Sequence, residues 1–431
     1  MRILLLCDYR PFNAATVSDH INSFSDLSVH QVFVYSGLVR NNGKLPEEMD
    51  LSDFDAVVVH YSIFIAVDAY LSPRSRNRLK EFKGVKVVFI QDEYRLVNST
   101  IDQLRNIGFD LFFTCVPEKE VEKVYPGKKL PGLKKINTLT GYIPAMLLTY
   151  SPIPINKRKF DVSYRGRKYP SWHGSMGREK WRIAELFRKR ALRSRLRVNI
   201  SWKESKRLYG EAWTNLVRNS RAVLGVESGA SVFDFTGEIA AKTETITSLL
   251  GEKRIEKSKM DHTYYKEHED KIDLAQISPR IFEAIALRTM CVLYEGNYSG
   301  ILKPWVHYVP LKKDHSNFDE VVEAIKNDEL TAKIITNAYG DIAIDKKYSY
   351  NTLIKQFDDE LSALFRKRRS ETRRKGLRFP DQKSFYDEYP FTQVNNPYGL
   401  AIPQLSRFFS FLAPKFPDRL KRYVKKMLNQ M

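Results

Sequence analysis

Short apolar runs of no more than seven residues, set between longer polar stretches, recur along most of the chain, and this alternation restricts the fold more than any other feature. In the first third the runs cover 2–7, 29–35, 54–60, 85–91 and 110–115. They are rich in Val, Ile and Phe, residue types that suit a buried strand, and they are too short for helices. Intervening stretches such as 66–82 are long enough to make crossover helices. Strand, helix and strand in repetition predict a parallel, doubly wound sheet. The segment YSPIPINKRK comes next, where Pro152 and Pro154 deny a helix and mark a linker. A second series then runs 160–164, 197–201, 222–226, 290–294 and 306–310, with helical stretches at 178–193, 279–287 and 318–326. The expected class is α/β, with two Rossmann-like domains facing across a cleft. Residues 1–150 make the first, 158–343 the second, and 344–431 a returning helix followed by a basic helical tail.

The bulk properties fit this plan. A chain of 431 residues exceeds one ordinary core, and 43% hydrophobic with 28% charged residues is the balance of a folded protein. No apolar run approaches the ~20 residues of a membrane-spanning helix. The start, MRILLLCDYR, reads as a first strand and not as a signal peptide, because acidic and aromatic residues stand where a cleavage site belongs. Cys7, Cys115 and Cys291 lie in or beside apolar runs without metal spacing, which predicts buried, reduced thiols in a cytoplasmic protein. The net charge of +20 is unevenly spread: residues 156–207 hold 18 Lys/Arg against 4 Asp/Glu, and residues 366–431 hold 16 against 5. Local basicity implies local anionic partners: phosphates, anionic lipid or nucleic acid.

Ligands of open α/β sheets bind beyond the carboxyl ends of the strands. Neither G-x-G-x-x-G nor the P-loop pattern follows any strand, which excludes the usual dinucleotide and P-loop sites, and no zinc pattern occurs. What does follow the strands is polar. Asp92 and Glu93 come after the run 85–91, and with Asp19 and His20 they are the expected acid–base groups of the first domain. In the second, Arg165 and Lys180 sit near its start and Arg280 farther on, as expected anion-binding cations. Glu227, Asp234 and Glu238 fall in GVESGASVFDFTGEI, which reads as a cleft loop in contact with substrate. Ser299 and Gly300 lie in EGNYSGILK, where backbone N–H groups are expected to approach a phosphate.

The most specific stretch is SPRIFEAIALRTMCVLYEGNYSGILKPWVHYVPLKKDHSNFDEV, residues 278–321. It resembles the donor lobe of the group 1 glycosyltransferases of the GT-B fold, which carries an F-E-A-x-A-x-G-x-x-V-like motif in the same order. DVSYRGR…GREKW, residues 161–181, looks like the start of that lobe. The resemblance implies transfer of a sugar from a nucleotide-diphosphate donor, without metal or resident cofactor, to a hydroxyl of a glycan or lipid-linked acceptor, in polysaccharide biosynthesis at the cell envelope. It implies that Glu283 holds the ribose, while Arg165, Lys180 and Arg280 hold the diphosphate. Ala275 stands where retaining members carry a second Glu, and Arg288 where Gly is usual, so retention and inversion both stay open.

The end of the chain adds an expectation of its own. Phe416, Leu420, Tyr423, Val424, Met427 and Leu428 recur at three- and four-residue spacing, with Lys and Arg between them. This is the pattern of a basic amphipathic helix that lies on an anionic membrane. A peripheral protein on the cytoplasmic membrane face is expected, with no nucleic-acid partner, since no RRM, KH, zinc-finger or helix-turn-helix signature appears. A nucleic-acid-binding protein and a catalytically inactive scaffold of the same fold are the rival readings.

Overall fold

The computed structural model describes residues 1–10, 15–250 and 265–374. The tail, and with it the expected membrane-binding helix, lies outside the described residues.

Two wholly parallel sheets form. The first holds β1 (Arg2–Leu6), β2 (Gln31–Tyr35), β3 (Ala56–Val59), β4 (Val85–Ile90), β5 (Leu111–Thr114) and β6 (Lys134–Asn137), in the order β2-β1-β3-β4-β5-β6. The second holds β7 (Phe160–Arg165), β8 (Val198–Ser201), β9 (Ser220–Gly225), β10 (Met290–Tyr294) and β11 (Val309–Leu311), in the order β11-β10-β9-β7-β8. In each, the strand order reverses beside the first strand, between β1 and β3 and between β7 and β9. Crossovers diverge there and leave a crevice at the carboxyl ends. Each sheet buries both faces, as parallel sheets must. The architecture is two Rossmann-like lobes facing across a cleft, as in the GT-B fold.

Three details depart from the expected elements. β6 had no apolar run to announce it: Lys134 and Lys135 open it and only Ile136 is buried, because an edge strand covers one side and turns its charges to water. The helix expected over 66–82 begins only at Pro73, where Ser72 accepts a hydrogen bond from the Ser75 N–H and Pro73 occupies the first turn. The last strand of the second sheet starts at Val309 and not at 306, the chain before it turning through Trp305 at a φ of 61°.

Two connections tie the lobes together. The helix Tyr350–Arg374 returns to the first lobe, where Tyr350, Leu353, Ile354, Phe357 and Leu361 are buried with Phe24, Phe89 and Phe113. The chain between β9 and the helix Pro279–Ala286 crosses in the other direction. Its Phe233, Ile272 and Leu274 are buried in the core of the first lobe. Backbone bonds fasten the crossing: the Asp234 N–H donates to the Tyr94 carbonyl at 2.7 Å, and the Asn98 N–H to the Phe235 carbonyl at 2.9 Å.

Candidate functional site

A cavity of about 240 Å³ opens at the crevice between β7 and β9. Its lining includes the cationic residues Arg165, Arg167, Lys180, Arg207 and Arg280 against a single carboxylate, Glu227, together with Tyr164, Tyr169 and Trp213. Lys180 comes from the helix Gly174–Ala191, and its Nζ donates to the Gly229 carbonyl at 2.7 Å. The same ammonium lies 4.5 Å from the centre of the Tyr169 ring, with the Arg167 guanidinium 4.7 Å from it. Burial pushes the Tyr169 phenol up, yet Lys180, Arg167 and Arg280 outweigh it and hold the phenol below its ordinary value. Burial also lowers the Lys180 ammonium. A tyrosine so affected reports a strongly positive local field.

Arg280, near the start of the helix Pro279–Ala286, donates to the carbonyl of Arg165 and lies 5.2 Å over the Trp213 ring. The Trp213 indole N–H in turn donates to Glu283 Oε2 at 2.6 Å. Glu283 itself is buried. Desolvation raises its carboxyl, opposed by the Trp213 bond and by Arg280. It is not among the residues that line this cavity, and its carboxylate holds the Trp213 ring that forms part of the wall.

Several other expected residues are also redirected. Arg165 turns part of its guanidinium to β8, donating to the Asn199 carbonyl at 2.8 Å and to Asn199 Oδ1 at 2.7 Å, while its Nε–H has no partner and the residue still lines the cavity. Glu227 accepts the backbone N–H groups of Asn297 at 3.0 Å and Tyr298 at 2.7 Å. That bond pins the EGNYSG turn, and it takes up N–H groups there that were expected to meet a phosphate. Ser299, at a φ of 58°, uses its Oγ to accept the Ile277 N–H, and neither it nor Gly300 reaches the cationic cavity. Asp234 caps a helix: its two oxygens accept from the Gly237 and Ala240 N–H groups, each at 2.8 Å. Glu238 opens the capped helix, exposed, and lines neither described cavity.

In the first lobe the expected acid–base groups separate. Glu93 turns inward, where it accepts from the Thr114 hydroxyl at 2.5 Å and the Cys115 N–H at 2.8 Å. Its burial raises its carboxyl to about 8, and it serves the core and not the cleft. His20 is also buried, 3.0 Å from His60 Nε2 through its Nδ1 and edge-on to Phe24 and Phe89; desolvation lowers it to about 3 and keeps it neutral. Both are buried in the first lobe. Asp92, by contrast, is exposed at the end of β4, and its charge acts on Lys180 across the cleft. Asp19 faces the second lobe from the helix Ala15–Leu27, its carboxyl raised to about 7 by burial and then by Glu283.

A second cavity of about 580 Å³ lies between the lobes, lined by Cys115, Pro117, Glu118, Lys119 and 137–139 on one side and by Asp273, Ala275, Gln276, Asn297 and Ser299 on the other. Sequence reading missed Tyr169, Arg207 and Trp213. Tyr169 carried a weak signal, four residues past a strand end. Arg207 and Trp213 carried none, because crossovers bring them to the crevice from β8 and the helix after it.

No family model and no curated protein matches the sequence. Among solved structures, an alpha-glucosyltransferase in complex with UDP and a 13-mer DNA containing an HMU base is similar at 10% identity, covering 84% of this chain and 99% of that one with a TM-score of 0.51. The DNA-modifying enzyme beta-glucosyltransferase is similar at 12% identity, covering 83% and 100% with a TM-score of 0.48. The Anabaena protein Alr3699/HepE in complex with UDP is similar at 12% identity, covering 84% and 100% with a TM-score of 0.44.

Proposed function

We propose that this chain is a glycosyltransferase that moves a sugar from a nucleotide-diphosphate donor to a hydroxyl of a glycan or lipid-linked acceptor, in the building of a cell-surface polysaccharide. The observation that carries the reading is the cavity between β7 and β9, where five cationic residues face one carboxylate beside aromatic walls. A nucleoside diphosphate offers what such a cavity takes, phosphate charge joined to a flat ring. UDP in the structurally similar alpha-glucosyltransferase supports the choice. As the glycosidic bond breaks, negative charge grows on the diphosphate. Lys180, Arg167, Arg207 and Arg280 supply the opposing field in place of a metal ion. In an inverting course Asp19 takes the proton of the acceptor hydroxyl, since a carboxyl near 7 suits that work at neutral pH.

Thermal unfolding with ligands tests the donor site. UDP or GDP at millimolar concentration raises the melting temperature by several degrees, because a ligand of the native state stabilises it by mass action. If no nucleoside diphosphate moves the transition, the reading is wrong.

A nucleic-acid acceptor is the second reading, favoured by the basic stretch 156–207 and by the DNA in the alpha-glucosyltransferase complex. The expectation of no nucleic-acid partner has no support from that neighbour. Incubation with UDP-glucose and duplex DNA or an oligosaccharide, followed by mass spectrometry of both acceptors, separates the two.

A further inference from the structure

The two cavities adjoin, and their electrostatics are opposite. Glu227, which lines the cationic one, accepts the backbone N–H of Asn297, which lines the other. Ser278 faces the first from the same short stretch that turns Gln276 to the second. In the inter-lobe cavity the ionisable lining is Glu118, Lys119 and Asp273. Lys119 Nζ donates to Asp273 at 2.6 Å, so its charge is already matched and Glu118 leaves the lining net negative.

The rest of the polar lining is neutral and two-sided. Asn137 gives its Nδ2 to the Val116 carbonyl at 2.5 Å, which leaves Oδ1 as an acceptor. Ser299 Oγ accepts from Ile277 at 3.1 Å, which leaves its O–H as a donor. The side-chain amide of Gln276 gives one N–H to the Cys115 carbonyl. Pro117, Leu139 and Ala275 add apolar surface for the C–H face of a ring. Hydroxyl groups both donate and accept, so a polyol satisfies this mixture. A carboxylate or phosphate meets Glu118 while the lining's one cation, Lys119, is already paired with Asp273, and it loses its hydration on entry.

We infer that the inter-lobe cavity seats an uncharged, hydroxyl-rich sugar ring beside the diphosphate and rejects sugars that carry a carboxylate or phosphate. The inference rests on the reading of the neighbouring cavity as the diphosphate site.

Ligand-observed NMR on the full chain, with methyl glucoside and methyl glucuronide, reads this cavity without any nucleotide. Binding of the glucoside at least tenfold tighter than the glucuronide is expected. Glu118→Lys, at an exposed position, reverses the net charge of the lining and brings the ratio to within about threefold. Asp273→Asn releases Lys119 and shifts the ratio in the same direction. Equal binding of the two sugars by the native protein, or an unchanged ratio in both folded variants, overturns the inference. The UDP-induced rise in melting temperature is read in parallel. Its absence alongside an intact sugar preference counts against the diphosphate site and leaves the sugar selectivity standing.

Discussion

Asp19 joins burial, charge and proposed chemistry in one side chain. Its carboxyl ordinarily titrates near 3.8 and is raised to about 7, by desolvation first and by Glu283 second. A group whose folded value is raised stabilises the protein below its unfolded value, and that contribution is lost as pH rises through about 7. Asp19→Asn is therefore expected to be more stable than the native protein at pH 8, by at most about 4 kcal/mol, and equal to it near pH 3. Urea unfolding at the two pH values measures this. Turnover of the native enzyme should rise with pH through about 7 and nearly vanish in the variant; a flat profile would remove Asp19 from the chemistry. Glu283 and Trp213 give a second contrast. Gln at 283 still accepts the indole N–H, so Glu283→Gln is expected to keep UDP affinity within about threefold. Trp213→Ala removes the wall and should cost tenfold or more, about 1.4 kcal/mol, by calorimetric titration. The reverse order of effects would return Glu283 to the role of a direct ligand.

At the scale of elements, the crossing segment between β9 and the helix Pro279–Ala286 distinguishes this molecule from two lobes on a hinge. Phe233, Ile272 and Leu274 lie in the first lobe's core although their chain neighbours belong to the second. Each buried side chain of this kind contributes about 1.5–3 kcal/mol, so separating the lobes exposes costly apolar surface. The two lobes are expected to melt in one calorimetric transition. Phe233→Ala should lower stability by about 3–5 kcal/mol and split the transition in two. A single, unshifted peak in that variant would show that the segment does not couple the lobes. Asp234→Ala, which removes both cap bonds of the helix Glu238–Leu250, should cost about 1–2 kcal/mol without touching UDP affinity.

At the scale of the whole molecule, charge is arranged by place. The cationic crevice, the net-negative cavity beside it and the basic tail at 400–431 each match a different chemistry. The tail's sequence pattern carries a prediction of its own: the full chain should co-sediment with vesicles containing phosphatidylglycerol at low salt, and a variant ending at Pro403 should not. Each Lys or Arg at an anionic surface is worth about 1 kcal/mol and is screened by salt. Equal sedimentation of both proteins would discard the tail as a membrane anchor.

By itself the sequence determined the fold class, because β-rich apolar runs separated by helix-length stretches have few other ways to bury both faces of a sheet. It also located the crevice coarsely, since polar residues after strands 85–91 and 160–164 fall at carboxyl ends whatever the details. It did not show β6, whose single buried residue leaves no pattern to read. Tertiary structure alone decided which polar groups face the cleft. Arg165 and Glu93 sit where ligands bind in such folds, yet each had a nearer partner inside the protein, Asn199 for one and Thr114 for the other. Arg207 and Trp213 gained their place at the cavity only because the chain returned to it. A side chain's direction is chosen by neighbours distant in sequence, and local pattern carries no record of them.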